Sequence, residues 1–306
     1  MLKTLLSRLG QGVVVIFFLI SITFVLVRLM PGDPLTDEKA VPPHVIEKNM
    51  AYYKLDQPKA VQFGYYLKNI AKGDLGPSMS KEGREVLEII EYSFPASLIL
   101  GITGMIVALC IGIPAGILSA LKKNSWIDFA TMAFAMIGIS IPSFVIGPLL
   151  ASGIATRVPF LKVAGWGDPL DWVLPSITLG LATAAYIARI TRAGMLETLN
   201  QDYIRTARAK GLKESTIVIK HALRGGIIPA IAYIGPAFAA LISGSFIIET
   251  IFQVPGLGQH FINGALARDY NLIQGVVILF GILIVIANLA ADLTLAAINP
   301  RLRNNA

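Results

Sequence analysis

The chain alternates long apolar runs with polar connections. Residues 10–27, 94–121, 129–156, 173–188, 225–248 and 272–291 contain no Asp, Glu, Lys, Arg or His. A bilayer core about 30 Å thick is crossed by roughly 20 apolar helical residues. Five of the runs are about that long or longer, and the fourth becomes so when extended through Arg189 and Ile190. The sixth continues through Asp292, and such charges belong at a helix end or facing other helices. A closed barrel would show segments of about 10 alternating residues, and a soluble helical protein would give helices of this length a polar face. Neither pattern is present. The chain is predicted to be an all-α membrane protein with six transmembrane helices.

Composition agrees: of 306 residues, 55% are hydrophobic and only 15% charged, against about 25% charged in ordinary globular proteins. Lys3 and Arg8 precede the first run, but that run exceeds a signal-peptide core and leads to Arg28 and "PGDP" (31–34) rather than to a small-residue cleavage site, so it is predicted to be retained. The single cysteine, Cys110, lies within the second run and excludes an intrachain disulfide. With a cytoplasmic N-terminus, the short segments on that side hold Lys3, Arg8, Lys122, Lys123, Arg301, Arg303 and eight basic residues between Arg189 and Arg224, while the short segments on the opposite side hold only Arg28, Arg157, Lys162 and Arg268. The long 31–93 segment mixes eight basic with ten acidic residues, and loops of that length cross largely regardless of charge. The basic excess puts both termini in the cytoplasm. It also accounts for the formal charge of +7 without nucleic acid. Three regions follow: 1–30, the N-terminal segment and first helix; 31–93, an external subdomain in which "VIEKNMAYYKL" (45–55) and "REVLEIIEYS" (84–93) look helical; and 94–306, a core of five helices with a cytoplasmic loop at 197–224.

Within that loop, Arg205–Arg224 holds six Lys or Arg residues against the single acidic Glu214. From Asp202 the pattern is a short helix with Tyr203, Ile204 and Ala207 near one face. Gly211 interrupts it as a C-terminal cap, and "ESTIVIKHALR" resumes a helix. Fixing topology and contacting anionic membrane lipid would need only a few charges; the helix–break–helix grammar asks for more.

"DYIRTARAKGL" (202–212) resembles the cytoplasmic coupling motif of permease subunits in binding-protein-dependent ABC importers, in the form carried by the oligopeptide, dipeptide and nickel group. The broad pattern has Glu-Ala-Ala, three residues and Gly; here Arg205, Thr206 and Ala207 are followed by Gly211, and "HALR" replaces a terminal Ile-x-Leu-Pro segment. Both departures are usual for that group. "PGDP", "GDLG" (73–76), "IPSF" (141–144), "ETIFQVPGLGQ" (249–259), "RDY" (268–270) and "NPR" (299–301) extend the resemblance over nearly the whole chain, toward the first permease subunit of an oligopeptide importer. It implies a type I importer permease fold in the bacterial inner membrane. It further implies partnership with a second homologous permease, two ATPase subunits and an external substrate-binding protein, with a peptide as cargo. Tyr203, Arg205, Thr206, Ala207, Arg208, Lys210, Gly211 and Leu212 would then engage the ATPase groove, Tyr203 and Ala207 by packing and the basic side chains against acidic groups on its rim. The external subdomain and the 249–270 loop would dock the binding protein. Dipeptide, nickel or glutathione permeases are the near alternatives.

No Gly-Lys dipeptide occurs, so the chain lacks the P-loop that cradles ATP phosphates; ATP and Mg are expected in partner subunits. His44, His221 and His260 fall in three separate segments without metal-ligand spacing, and no catalytic group or cofactor is expected. His221 reads as a coupling-loop residue, His44 and His260 as solvated. Asp292 is expected to pair with Asn299 and Arg301 near the cytoplasmic interface, and Arg189 and Arg192 to be paired similarly. Ser140, Pro142, Ser143, Ser243 and Ser245 are candidates for lining a pathway, or for close helix packing. Pro114, Pro148 and Pro236 are tolerated in membrane helices where neighbours re-satisfy the backbone. A self-contained carrier or channel would show buried ionisable groups and inverted repeats, which the sequence does not display, and a membrane hydrolase would want a nucleophile beside a base.

Overall fold

The computed structural model describes residues 2–29, 47 and 50–298. "PGDP", His44, "NPR", Asn299, Arg301, Arg303 and most of the 45–49 part of "VIEKNMAYYKL" lie outside the described residues. Among the described residues there is no β-strand, only an isolated antiparallel bridge between Pro77 and Glu85. The helices are α1 (Leu2–Leu29), α2 (Lys59–Ile70), α3 (Val86–Leu121), α4 (Trp126–Ser140), α5 (Ser143–Leu150), α6 (Val173–Leu199), α7 (Asp202–Ala209), α8 (Glu214–Gly226), α9 (Ile228–Gly244), α10 (Phe246–Phe252), α11 (Leu257–Leu266) and α12 (Tyr270–Ile298).

Four helices, α1, α3, α6 with its preceding turn, and α12, are each long and apolar enough to cross a membrane; α4 with α5 and α8 with α9 make six if each bent pair is one span. The third and fifth runs are therefore each broken into two helices. The α4–α5 pair bends by 103° because Pro142 lacks an N–H and its ring disfavours helical backbone at Ile141, which is extended at φ −88°, ψ 120°. The α8–α9 pair bends by 49°, just before Pro229 in the first turn of α9. "REVLEIIEYS" is helical from Val86 onward, as expected, and continues without a break into the apolar run as α3, Val86–Leu121. Thirty-six residues span about 54 Å, so its charged first turns extend beyond the hydrocarbon.

The chain forms two compact units, one of residues 1–8, 98–254 and 284–306, the other of 9–97 and 255–283. In the first, α3 and α6 approach to backbone contact. A Cβ at Gly112 would lie 2.6 Å from the Ala184 carbonyl oxygen, one at Gly116 2.5 Å from that of Ala188, and one at Gly180 2.5 Å from that of Gly104. Gly104, Ala108, Gly112 and Gly116 repeat every fourth residue, as do Gly180, Ala184 and Ala188 on α6; small residues at this spacing let membrane helices pack closely where there is no hydrophobic drive between them. In the second unit, Ile20 and Phe24 of α1 pack with Tyr66 and Ile278, and Val27 with Tyr53, Met79, Tyr270 and Ile273.

Asp269 organises that second unit. It precedes α12 and accepts from the Leu272 N–H at 3.1 Å as an N-cap. It also accepts from Ser80 N–H at 3.1 Å, Ser80 Oγ at 2.8 Å and the Ser78 hydroxyl. The Pro77 carbonyl receives Asn271 Nδ2 at 3.1 Å and Tyr53 OH at 2.8 Å. The 76–86 turn is thus tied to the head of α12.

Candidate functional site

The turn after α6 is built from the bottom of a hydrophobic cluster. Ala120 at the end of α3 and Met195 on α6 pack with Ile204 and Ala207 of α7 and with Ile217, Val218 and Ala222 of α8. Ile204 and Ala207, three residues apart, form the inward face of α7, while Tyr203 is half exposed and Arg205, Thr206, Arg208, Lys210, Gly211 and Leu212 all face outward. Ala207 therefore packs on the chain's own core rather than on the outer surface, where Tyr203 and Leu212 supply the apolar contacts and Ile219 adds a third. The Tyr203 hydroxyl reaches the His221 carbonyl at 3.5 Å, and the Thr206 hydroxyl donates to the Asp202 carbonyl at 3.0 Å.

Gly211 closes α7. Its φ is +75°, its N–H donates to the Arg208 carbonyl at 2.9 Å, and the Leu212 N–H donates to the Ala207 carbonyl at 3.3 Å. That pair of bonds is a Schellman cap, which satisfies the last carbonyls of a helix through a left-handed residue. A Cβ at Gly211 would meet nothing within 4 Å, so the requirement is backbone conformation and not space. Arg208 clamps the turn by donating to Glu214 through Nη2 at 2.7 Å and Nε at 3.2 Å. The Glu214 carboxylate holds the Arg208 guanidinium above its ordinary value. Arg205 lies 3.7 Å from Asp202 with both side chains solvated, a pairing worth little. Of the expected contacts with an acidic rim, Arg208 is already engaged within the chain, whereas Arg205 and Lys210 present their charge outward.

Beside this cluster lies the acidic partner of Arg192, a carboxylate for which no pairing was expected. Asp128, almost wholly buried at the start of α4, accepts from Arg192 Nε and Nη2, each at 2.7 Å, from the Ser119 hydroxyl, and from the Asn124 N–H at 2.9 Å. Its own N–H meets Ser125 Oγ at 3.4 Å. The signal was present: Ser125 and Asp128 stand at N-cap and N3, the spacing of a helix start. Because Ser119 adjoins Ala120, and Arg192 lies one turn before Met195, the pair sits directly beside the cluster beneath α7. Arg192 is thus paired as expected, and Arg189 stacks on Tyr186 with 5.1 Å to the ring centroid. Asp292 pairs with Arg8 at 3.1 Å, whereas the partners expected for it lie outside the described residues.

The other candidates lie at helix breaks. Ser140, Pro142 and Ser143 flank the α4–α5 bend, and Ser140 Oγ donates to the Met136 carbonyl at 2.8 Å. Ser243 Oγ donates to the Ala239 carbonyl at 2.9 Å. Ser245, between α9 and α10, is fully buried and bonded to the Ile242 carbonyl at 2.8 Å and Glu249 at 2.7 Å. His260 corrects an expectation: it is half-buried, 2.8 Å from Lys81 Nζ through Nδ1, and burial, followed by the Lys81 ammonium, pushes it below its ordinary value.

Helices long and apolar enough for up to six membrane crossings define a multi-pass membrane protein. The chain belongs to the binding-protein-dependent transport system inner membrane components, whose family model matches residues 112–304, with the N-terminal model of the same family matching 1–101. It is a permease subunit of an ABC importer and a multi-pass inner-membrane protein, working with ATPase and substrate-binding partners. Among characterised relatives, it is 44% identical over 305 residues to the oligopeptide transport system permease protein OppB of Salmonella typhimurium, covering 99% of this chain and 100% of that one. It is 38% identical to the dipeptide transport system permease protein DppB of Bacillus subtilis, over 99% of this chain and 98% of that one. To the glutathione transport system permease protein GsiC of Escherichia coli it is 39% identical over 99% of both. A solved inward-facing MetNI methionine ABC transporter shares the fold at a TM-score of 0.60 and 20% identity, over 69% of this chain and 96% of that one.

Proposed function

We propose that the chain carries oligopeptides across the inner membrane, paired with a second homologous permease and driven by two ATPase subunits that bind ATP and Mg. The full-length identity to the oligopeptide permease carries the choice of cargo, and the Gly211-capped turn carries the mode of coupling. α7 would sit in a groove of an ATPase subunit through Tyr203, Arg205, Thr206, Lys210 and Leu212. Because Ile204 and Ala207 root α7 in a cluster shared with α3, α6 and α8, a push on α7 moves membrane helices rather than a loose loop. In this reading both termini and the basic turn are cytoplasmic. The external subdomain at 31–93 and the 249–270 loop face the binding protein, and the helix breaks at Ser140–Ser143 and Ser243–Ser245 border the peptide route.

Affinity purification of the tagged chain from gently solubilised native membranes, followed by mass spectrometry, is expected to recover a second permease and two kinds of ATPase chain or a pair of one kind. A monodisperse solitary chain would contradict the assembly. Dipeptide and glutathione import are the competing cargoes, given 38% and 39% identity to those permeases; uptake assays with each labelled ligand separate them. Gly211→Pro is expected to insert normally but to abolish peptide uptake while ATP hydrolysis continues, since Pro fixes φ near −65° where this cap needs +75°. Uptake at the parental rate would defeat the coupling role of the turn.

A further inference from the structure

We propose that α2 is an interfacial helix that binds anionic phospholipid at the leaflet where α1 ends. The inference rests on the chain's being a multi-pass membrane protein and is independent of its cargo. α1 carries no charge between Arg8 and Arg28, so a membrane-crossing α1 leaves Arg28 at headgroup level, the usual place for a cation ending a span. Arg28 there stacks over Phe24, 3.5 Å from its centroid, and donates from Nε to Gln62 Oε1 of α2 at 3.2 Å.

From that anchor α2 lies along α1 and inward. Phe63 touches both Phe24 and Phe17, with centroids 4.9 and 6.5 Å apart, and Tyr66 touches Phe24 at 5.7 Å. Phe17 is eleven residues before Arg28, about 16 Å along the helix axis, a distance that reaches well beneath the headgroups. α2 therefore occupies the depth of one leaflet beside a lipid-spanning helix.

Its free face suits that depth. A helix in water would carry charge along its outer side, yet here the middle of the exposed face is Ala60, Val61, Gly64 and Tyr65, with Val61 40% and Tyr65 44% exposed. Within α2, charge appears only at the ends, as exposed Lys59 and Lys68, with Lys72 just beyond, and residues 59–72 contain no Asp or Glu; Lys54, from the preceding turn, adds a further cation 6.0 Å from the Tyr65 ring centroid. Aromatic and apolar residues at the acyl boundary, with lysines extending toward phosphates, are the composition of interfacial helices, and the uniform positive sign selects anionic headgroups.

The test uses the full chain in its complex, reconstituted in vesicles of phosphatidylethanolamine and phosphatidylglycerol. A nitroxide is placed by Tyr65→Cys in a Cys110→Ser background, with Asp56→Cys as a control outside α2. The label at 65 is expected to meet dissolved oxygen more readily than a water-soluble nickel chelate, and the label at 56 the reverse. Phosphatidylglycerol retained after purification is expected to fall roughly five-fold for each charge removed in K59Q, K68Q and K72Q. A label at 65 as open to the chelate as the one at 56 would overturn the proposal. So would chelate access that disappears only on adding the soluble binding protein, which would make α2 a protein-docking face. Unchanged phosphatidylglycerol retention in the triple variant would overturn the assignment of anionic lipid.

Discussion

Asp128→Ala should destabilise the permease by about 3 kcal/mol, the lower part of the range for breaking a buried pair, because the abandoned Arg192 side chain is 25% exposed and recovers some hydration. The loss arises less from the missing attraction than from a guanidinium and the Ser119 hydroxyl left without their acceptor. Asp128→Leu combined with Arg192→Met should restore most of the stability, since an apolar replacement of both partners removes the unpaired charge. Thermal unfolding of the detergent-solubilised complex, followed by the loss of monodisperse protein, measures both. A double variant no more stable than the single one would show that the pair does not act as an isolated buried charge pair. Coupling should suffer as well, because Ser119 and Arg192 adjoin the Ala120 and Met195 that support α7.

Gly112→Leu should have an effect at least as large, about 3 kcal/mol or more, at the upper end for forcing volume into a packed interior. Its first carbon would already lie 2.6 Å from a backbone oxygen and 2.9 Å from Ile187, and neither can swing away as the tip of a side chain can. α3 and α6 must separate over several turns, disturbing Gly104–Gly180 and Gly116–Ala188 in turn. By contrast, Gly153→Leu meets nothing within 4 Å at its Cβ and should change stability little. Equal thermal stability of the two variants would refute the close-packed account of the α3–α6 contact.

Much of this architecture was legible in the sequence, and the reasons for the exceptions are physical. Hydropathy reports how long a chain remains apolar, so all six runs stand out, that of α6 least, but it is blind to direction. The 103° turn at Ile141–Pro142 interrupts no apolar run, and only the local rule for a residue before proline marks it. Counting a span from the last charge likewise hid Asp128, which ends one run's boundary while belonging to the helix. The Schellman turn at Gly211 was readable because it is local. Asp269 was not, since its partners Ser78 and Ser80 are some 190 residues away and no sequence period connects them. Arg208 looked available to a partner protein because six basic residues faced one acidic residue; the bond to Glu214 depends on a turn geometry that composition does not specify.

The outward face of α7, rooted in the membrane helices by its inward face, should meet an ATPase subunit. A photo-crosslinking amino acid placed at Tyr203 and, separately, at Ile204 in the transporting complex tests it most directly. Tyr203 is half exposed and Ile204 fully buried, so an ATPase adduct is expected from position 203 and only intrachain products from 204. A complex that transports peptide yet gives no ATPase adduct from 203 would contradict it.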